Sequence, residues 1–162
     1  MSMLGQLRAA GAGTVVVIGY GNALRGDDGA GPRVATAVAG WGLPQVQALA
    51  VHQLTPELAE TLAAARLALF VDSRLPGHGN DVTVQTLHPA PATASLGHTS
   101  DPRQLLALAQ ALYGRYPPAW LITIPGSNFQ PGQALSVETH RATEEALRQI
   151  GFVVGQEHVW QP

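Results

Sequence analysis

"TVVVIGYGNALRGDDGAG" occupies residues 14–31, and the reading of its glycines and acids decides the fold. Residues 14–18 are β-branched without interruption, the pattern of a strand buried on both faces, and such strands belong to parallel sheets covered by helices. Glycines at 19 and 21 then end the strand in a tight loop. Past Gly31, Pro32 opens a helix with Val34 and Val38 at helical spacing, closed by Gly40 and Gly42.

The same alternation continues along the chain. "QVQALAVHQ" (45–53) reads as a strand, and "LTPELAETLAAA" (54–65) as a helix with Thr55 as cap, Pro56 at its first position and Glu57 and Glu60 in its opening turns. "RLALFVDSR" (66–74) is a third buried strand terminating at Asp72, and "NDVTVQTLHP" (80–89) is a fourth by its β-branched alternation. Ser100 or Asp101 caps a helix through Leu105, Leu108 and Leu112 that Gly114 and Pro117 end. "AWLITIPG" (119–126) adds a strand, and "SVETHRATEEALRQIG" (136–151) a last helix closed by Gly151. Strands alternating with helices predict an α/β fold: a three-layer α/β/α sandwich with a mainly parallel twisted sheet of about five strands. One domain over residues 1–162 is expected, with a loose segment at 1–12.

Composition narrows the function. The net charge is −2 and every basic residue is an arginine, scattered along the chain, which argues against nucleic acid or an anionic membrane as partner. Cysteine is absent, so a metal would have to sit on Asp, Glu or His, and no cysteine nucleophile is available. No secretory signal and no window of about 18 apolar residues is present, and a soluble, cytoplasmic, monomeric protein is expected.

In a parallel sheet, ligands collect outside the carboxyl ends of the strands. There, Gly19-Tyr20-Gly21 begins a dinucleotide-binding pattern, but Leu24 holds the place of the third glycine and Gly26 comes two residues late. Asp27 and Asp28 would also repel a pyrophosphate. The other reading is that the glycines allow a sharp turn and the acids stand beside a helix entrance, where either one alone also reads as a cap. Asp72 at a buried strand end needs a partner or an Asx turn. His98, in "LGHTSDP", precedes a capped helix; His88 is its competitor. Brought together, Asp28, Asp72 and His98 offer two carboxylates and an imidazole, a set suited to a borderline divalent ion such as nickel or zinc with positions left open. Ser127, in "PGSNFQ", lacks the G-x-S-x-G elbow of a serine hydrolase. His52 reads as a capping or turn residue, with lining the same edge as the alternative, His78 as a loop residue, and Arg25 as a solvated cation, with docking of an acidic or carboxylate-bearing substrate tail as the alternative.

These residues carry a family resemblance. "IGYGNALRGDDGAGP", the acid-terminated strand "LFVDS" and "GHTSDPRQLLALA" resemble, in order, the nickel-iron hydrogenase maturation proteases, whose first loop follows G-x-G-N-x-L-x-x-D-[DE]-G-x-G. Gly19, Gly21, Asn22, Leu24, Asp27, Asp28, Gly29 and Gly31 fit that pattern. The resemblance implies an endopeptidase that trims a C-terminal tail from the hydrogenase large-subunit precursor once nickel is in place. Nickel, supplied by the substrate, would be the recognition element, and the isolated protein would be metal-free. It further implies Asp28, Asp72 and His98 as the residues that meet the metal, with Asp28 and Asp27 as the catalytic acids. An escort that binds the nickel site without cutting is the alternative.

Overall fold

A computed structural model describes residues 13–77, 79–91 and 100–155. The expected loose segment at 1–12 lies outside them. Strand β1 (Val15–Tyr20) leads through a 3-10 turn (Gly26–Gly29) into α1 (Ala30–Gly40). Then follow β2 (Val46–Val51), α2 (Leu58–Ala64), β3 (Leu67–Arg74), β4 (Thr83–Leu87), α3 (Pro102–Tyr113), β5 (Ala119–Pro125) and α4 (Val137–Val153). The five strands form one sheet in the order β2-β1-β3-β5-β4, parallel except for β4, which runs antiparallel to β5.

Alternation along the central strands builds a core on each face. Val15, Val17, Leu69 and Val71 pack with Val34 and Val38 of α1 and Ala146 and Ile150 of α4. Val16, Ile18 and Phe70 pack with Leu62 of α2 and Leu105 and Leu106 of α3. Phe70 is fully buried, and removing such a side chain from water contributes about 2–3 kcal/mol. The sandwich is therefore α1 and α4, sheet, then α2 and α3. Among the described residues no helix is long and apolar enough to cross a membrane.

Several element ends differ from expectation for local reasons. Thr55 and Pro56 form a turn whose carbonyls accept from the Leu58 and Ala59 amides, so α2 starts at Leu58 and Thr55 is not its cap. β3 passes Asp72 and ends at Arg74, because Asp72, Ser73 and Arg74 still pair with Thr123, Ile124 and Pro125 of β5. Gly151 does not close α4; it is buried inside the helix, which runs on to Val153. Of the two capping residues offered for α3, Asp101 takes the role by accepting from the Arg103 amide, and Gly114 ends the helix at φ 74°.

The first turn of α1 is pressed onto the sheet. A Cβ on Gly31 would lie 2.5 Å from the Val71 carbonyl oxygen and 2.6 Å from that of Tyr20, and one on Gly19 would fall on the Gly31 carbonyl. All of these are backbone atoms that cannot swing away. Gly31→Ala is thus expected to cost about 2–3 kcal/mol by overpacking, seen as a lower urea midpoint at unchanged slope. An unshifted midpoint would mean that α1 can lift off the sheet freely.

Candidate active site at the carboxyl edge of the sheet

Two acids meet where β1 and β3 end. Asp28 stands in the 3-10 turn, half-buried, with Oδ2 accepting from the Asn22 amide at 2.7 Å and Oδ1 facing the Ser73 hydroxyl at 3.4 Å. Gly21 makes this fold-back possible: its φ is 145°, and a Cβ there would collide with the Asp28 carbonyl oxygen. Asp72 accepts from the Ser73 amide at 2.8 Å and from the Tyr20 hydroxyl. By strand alternation Tyr20 and Asp72 point to the α2/α3 face, and Ser73 to the α1/α4 face. The two carboxylates therefore straddle the sheet edge, with Ser73 bonded to both.

The acids differ in their electrostatics. Burial pushes the Asp72 carboxyl up to about 6; the Ser73 amide opposes this, the charge of Asp28 adds to it, and the Tyr20 hydroxyl opposes it again. Tyr20 is raised well above the ordinary phenol range by its own burial, then by the Asp72 charge and the hydrogen bond to it, then by Asp101. The Tyr20 hydroxyl thus stays a donor and holds the Asp72 carboxylate in place.

Asp27, next in sequence to Asp28, is buried and fully engaged. Its Oδ1 accepts from the Ser136 amide at 2.7 Å, and its Oδ2 from the amides of Ser127 and Asn128 at 2.8 Å each and from the Ser136 hydroxyl at 2.8 Å. Burial alone would raise its pKa, but the amides of Ser127, Ser136 and Asn128 and the Ser136 hydroxyl outweigh it and bring the carboxyl down to about 2. The Gly26 amide to the Gly132 carbonyl, the Asp27 amide to the Asn128 carbonyl, and the Gly132 amide to the Leu24 carbonyl tie the same two loops together. Asp27 joins residues 126–136 to the loop that carries Asp28.

Beside the acids lies a shallow cleft of about 350 Å³. Ala23 and Leu24 of the first loop, Pro32 of α1, and Ala50 and Val51 of β2 supply its apolar walls, with His52 at the rim. Gly21 and Asn22 line it toward Asp28.

This architecture has close structural parallels. HycI, a [NiFe] hydrogenase maturation protease from Thermococcus kodakarensis KOD1, superimposes with a TM-score of 0.71 at 22% identity, covering 95% of this chain and 99% of HycI. The chain has the hydrogenase maturation protease fold. A hydrogenase 2 maturation peptidase from Thaumarchaeota archaeon SCGC_AB-539-E09 gives 0.64 at 27% identity, over 89% of this chain and 99% of that one. The Escherichia coli maturating endopeptidase HybD gives 0.65 at 20%, over 88% and 93%. No family model matches the chain, and no curated sequence does.

Within the maturation-protease fold, Asp28 and Asp72 come together from separate elements, while Asp27 faces away into its own network. His98 lies outside the described residues, as does His78. His88 follows Leu87, which pairs with Ala119 at the start of β5, whereas Asp72 pairs with Thr123. The reversal of β4 therefore puts His88, one residue past Leu87, about 16 Å along the strands from Asp72, five residues at roughly 3.3 Å each. His52 is exposed at the cleft, and among the described residues no third histidine or carboxylate joins the acid pair. Sequence reasoning does not single out Tyr20 and Ser73; their places at the end of β1 and beside Asp72 are the available signal.

Proposed function

We propose that the protein is an endopeptidase that removes a C-terminal tail from the nickel-loaded large subunit of a nickel-iron hydrogenase. The observation that carries this reading is the convergence of Asp28 and Asp72 at the sheet's carboxyl edge, on a fold shared with hydrogenase maturation proteases. Each acid has one oxygen committed to a backbone amide, which fixes its orientation. Their other oxygens are hard donors suited to a divalent cation, and a pair of carboxylates leaves positions for ligands that such a cation brings with it. A nickel ion already seated in the substrate fits that arrangement. His98, three residues ahead of Asp101 in the chain, remains the candidate for the imidazole.

In this reading Asp28 and Asp72 hold the substrate's metal site against the sheet edge and so set the scissile amide beside them. Asp72 is ionised at neutral pH and presents its carboxylate at this edge. Tyr20 and Ser73 orient it. Asp27, held at a pKa of about 2 by the amides around it, is a poor proton acceptor and serves to position Asp28. The isolated protein is metal-free because the ion travels with the substrate.

Nickel-loaded and nickel-free large-subunit precursors, each incubated with the protein, test this by intact mass spectrometry. Loss of a C-terminal fragment from the loaded precursor alone is expected. Asp28→Ala and Asp72→Ala are expected to abolish it, and full cleavage by either variant removes the assignment. An unchanged precursor mass together with a stable complex would instead identify a non-cleaving escort.

A further inference from the structure

The acid pair accounts for contact with a metal, but not for how the peptide beside it is chosen. We infer that the cleft between the first loop and the end of β2 is the subsite for one medium-sized aliphatic side chain of the substrate, on a residue adjoining the scissile amide. This rests on the endopeptidase reading, and three observations carry it.

The first is continuity. Asn22 lines the cleft with one side while its amide grips Asp28 Oδ2 at 2.7 Å, so a peptide held at Asp28 has its neighbouring side chain over this cleft. The second is the chemistry of the walls. Leu24, Pro32, Ala50 and Val51 are aliphatic, Leu24 is 61% exposed, and no charged residue lines the space. A charged side chain would lose water there without gaining a partner, whereas an aliphatic one would cover Leu24. By contrast, the cleft at the start of α4 is bordered by the charged residues Asp81, Glu138, Arg141 and Glu145. The third is strand position. Among the described residues β2 pairs only with β1, which leaves the outer edge of Ala50 and Val51 available to the backbone of an extended peptide.

Two measurements test this, one independent of cleavage. In amide-resolved NMR titrations of the full chain with N-acetyl-leucine amide and N-acetyl-glycine amide, saturable shifts at Asn22, Leu24, Val51 and His52 are expected only with the leucine derivative. Ala50→Trp, which fills the cleft from an exposed position, should erase them. In the precursor assay, Ala50→Trp and the separate variant Ala23→Phe should raise KM roughly tenfold or more while cleavage still requires nickel. Equal shifts with both amides, or a parent KM in both variants, overturns the subsite. If the parent cuts neither precursor, the endopeptidase reading falls and the titration alone decides the cleft.

Discussion

Asp72→Asn is expected to be more stable than the parent at neutral pH and unable to process a nickel-loaded precursor. The carboxyl pKa is raised to about 6 from 3.8, so the folded state holds that proton more tightly than the unfolded state. Stability therefore falls as pH rises from about 4 to 6, and the full cost is present above that window. That difference corresponds to roughly 3 kcal/mol. Part of that is screened by solvent reaching a half-buried group, and Asn keeps fewer acceptor positions for the Ser73 amide and Tyr20 hydroxyl, which returns about 1 kcal/mol. A net gain of about 1–2 kcal/mol should remain near neutral pH and vanish near pH ~4. Cleavage should drop on the order of a thousandfold, as when a preorganised charge is lost from an active site. Urea unfolding at the two pH values, paired with the precursor assay, checks both. A variant less stable than the parent at neutral pH would show that the ionised carboxylate supports the fold.

Asp27→Asn should do the opposite: a large loss of stability, with the chemistry impaired only through geometry. The amide side chain would turn a donor toward the Ser127 and Asn128 amides or toward that of Ser136, leaving buried donors facing each other. Breaking a buried charged network in this way costs on the order of 4 kcal/mol. Because the Asp27 pKa is lowered to about 2, its contribution is complete above its unfolded value near 3.8 and disappears as pH falls through about 2. The parent's acid unfolding should carry this dependence and the variant's should lack it. Hydrogen exchange across residues 126–136 should accelerate in the variant. Unchanged exchange there would mean that the backbone contacts between the two loops suffice without the carboxylate.

The sheet was legible in the sequence because its central strands are buried on both faces and therefore read as unbroken β-branched or aliphatic runs, as in residues 15–18 and 67–71. The direction of β4 was not, since alternation in "TVQTL" shows a half-buried strand but carries no sign of which way it runs. That one reversal removes His88 from the acids. Asp28 and Asp72 could be singled out because each directly follows a recognisable local signal, a glycine loop or a buried strand. The work of Asp27 could not be read, because its partners Ser127 and Ser136 lie about a hundred residues downstream in a stretch without periodicity. Tyr20 was hidden for a related reason: its hydroxyl matters only once β1 and β3 are known to be neighbours.

Adjacent acids with opposite employment have a consequence for genetics. A screen that scores hydrogenase maturation in cells would return both Asp27 and Asp28 as null positions, and the dipeptide would look like a single functional unit. The causes would separate on an immunoblot. Loss of Asp27 should deplete the protein itself, because a destabilised chain is cleared by cellular quality control. Loss of Asp28 should leave normal amounts of an inert one. Lower growth temperature, or a second substitution that stabilises the chain elsewhere, should rescue the first class of mutant and never the second.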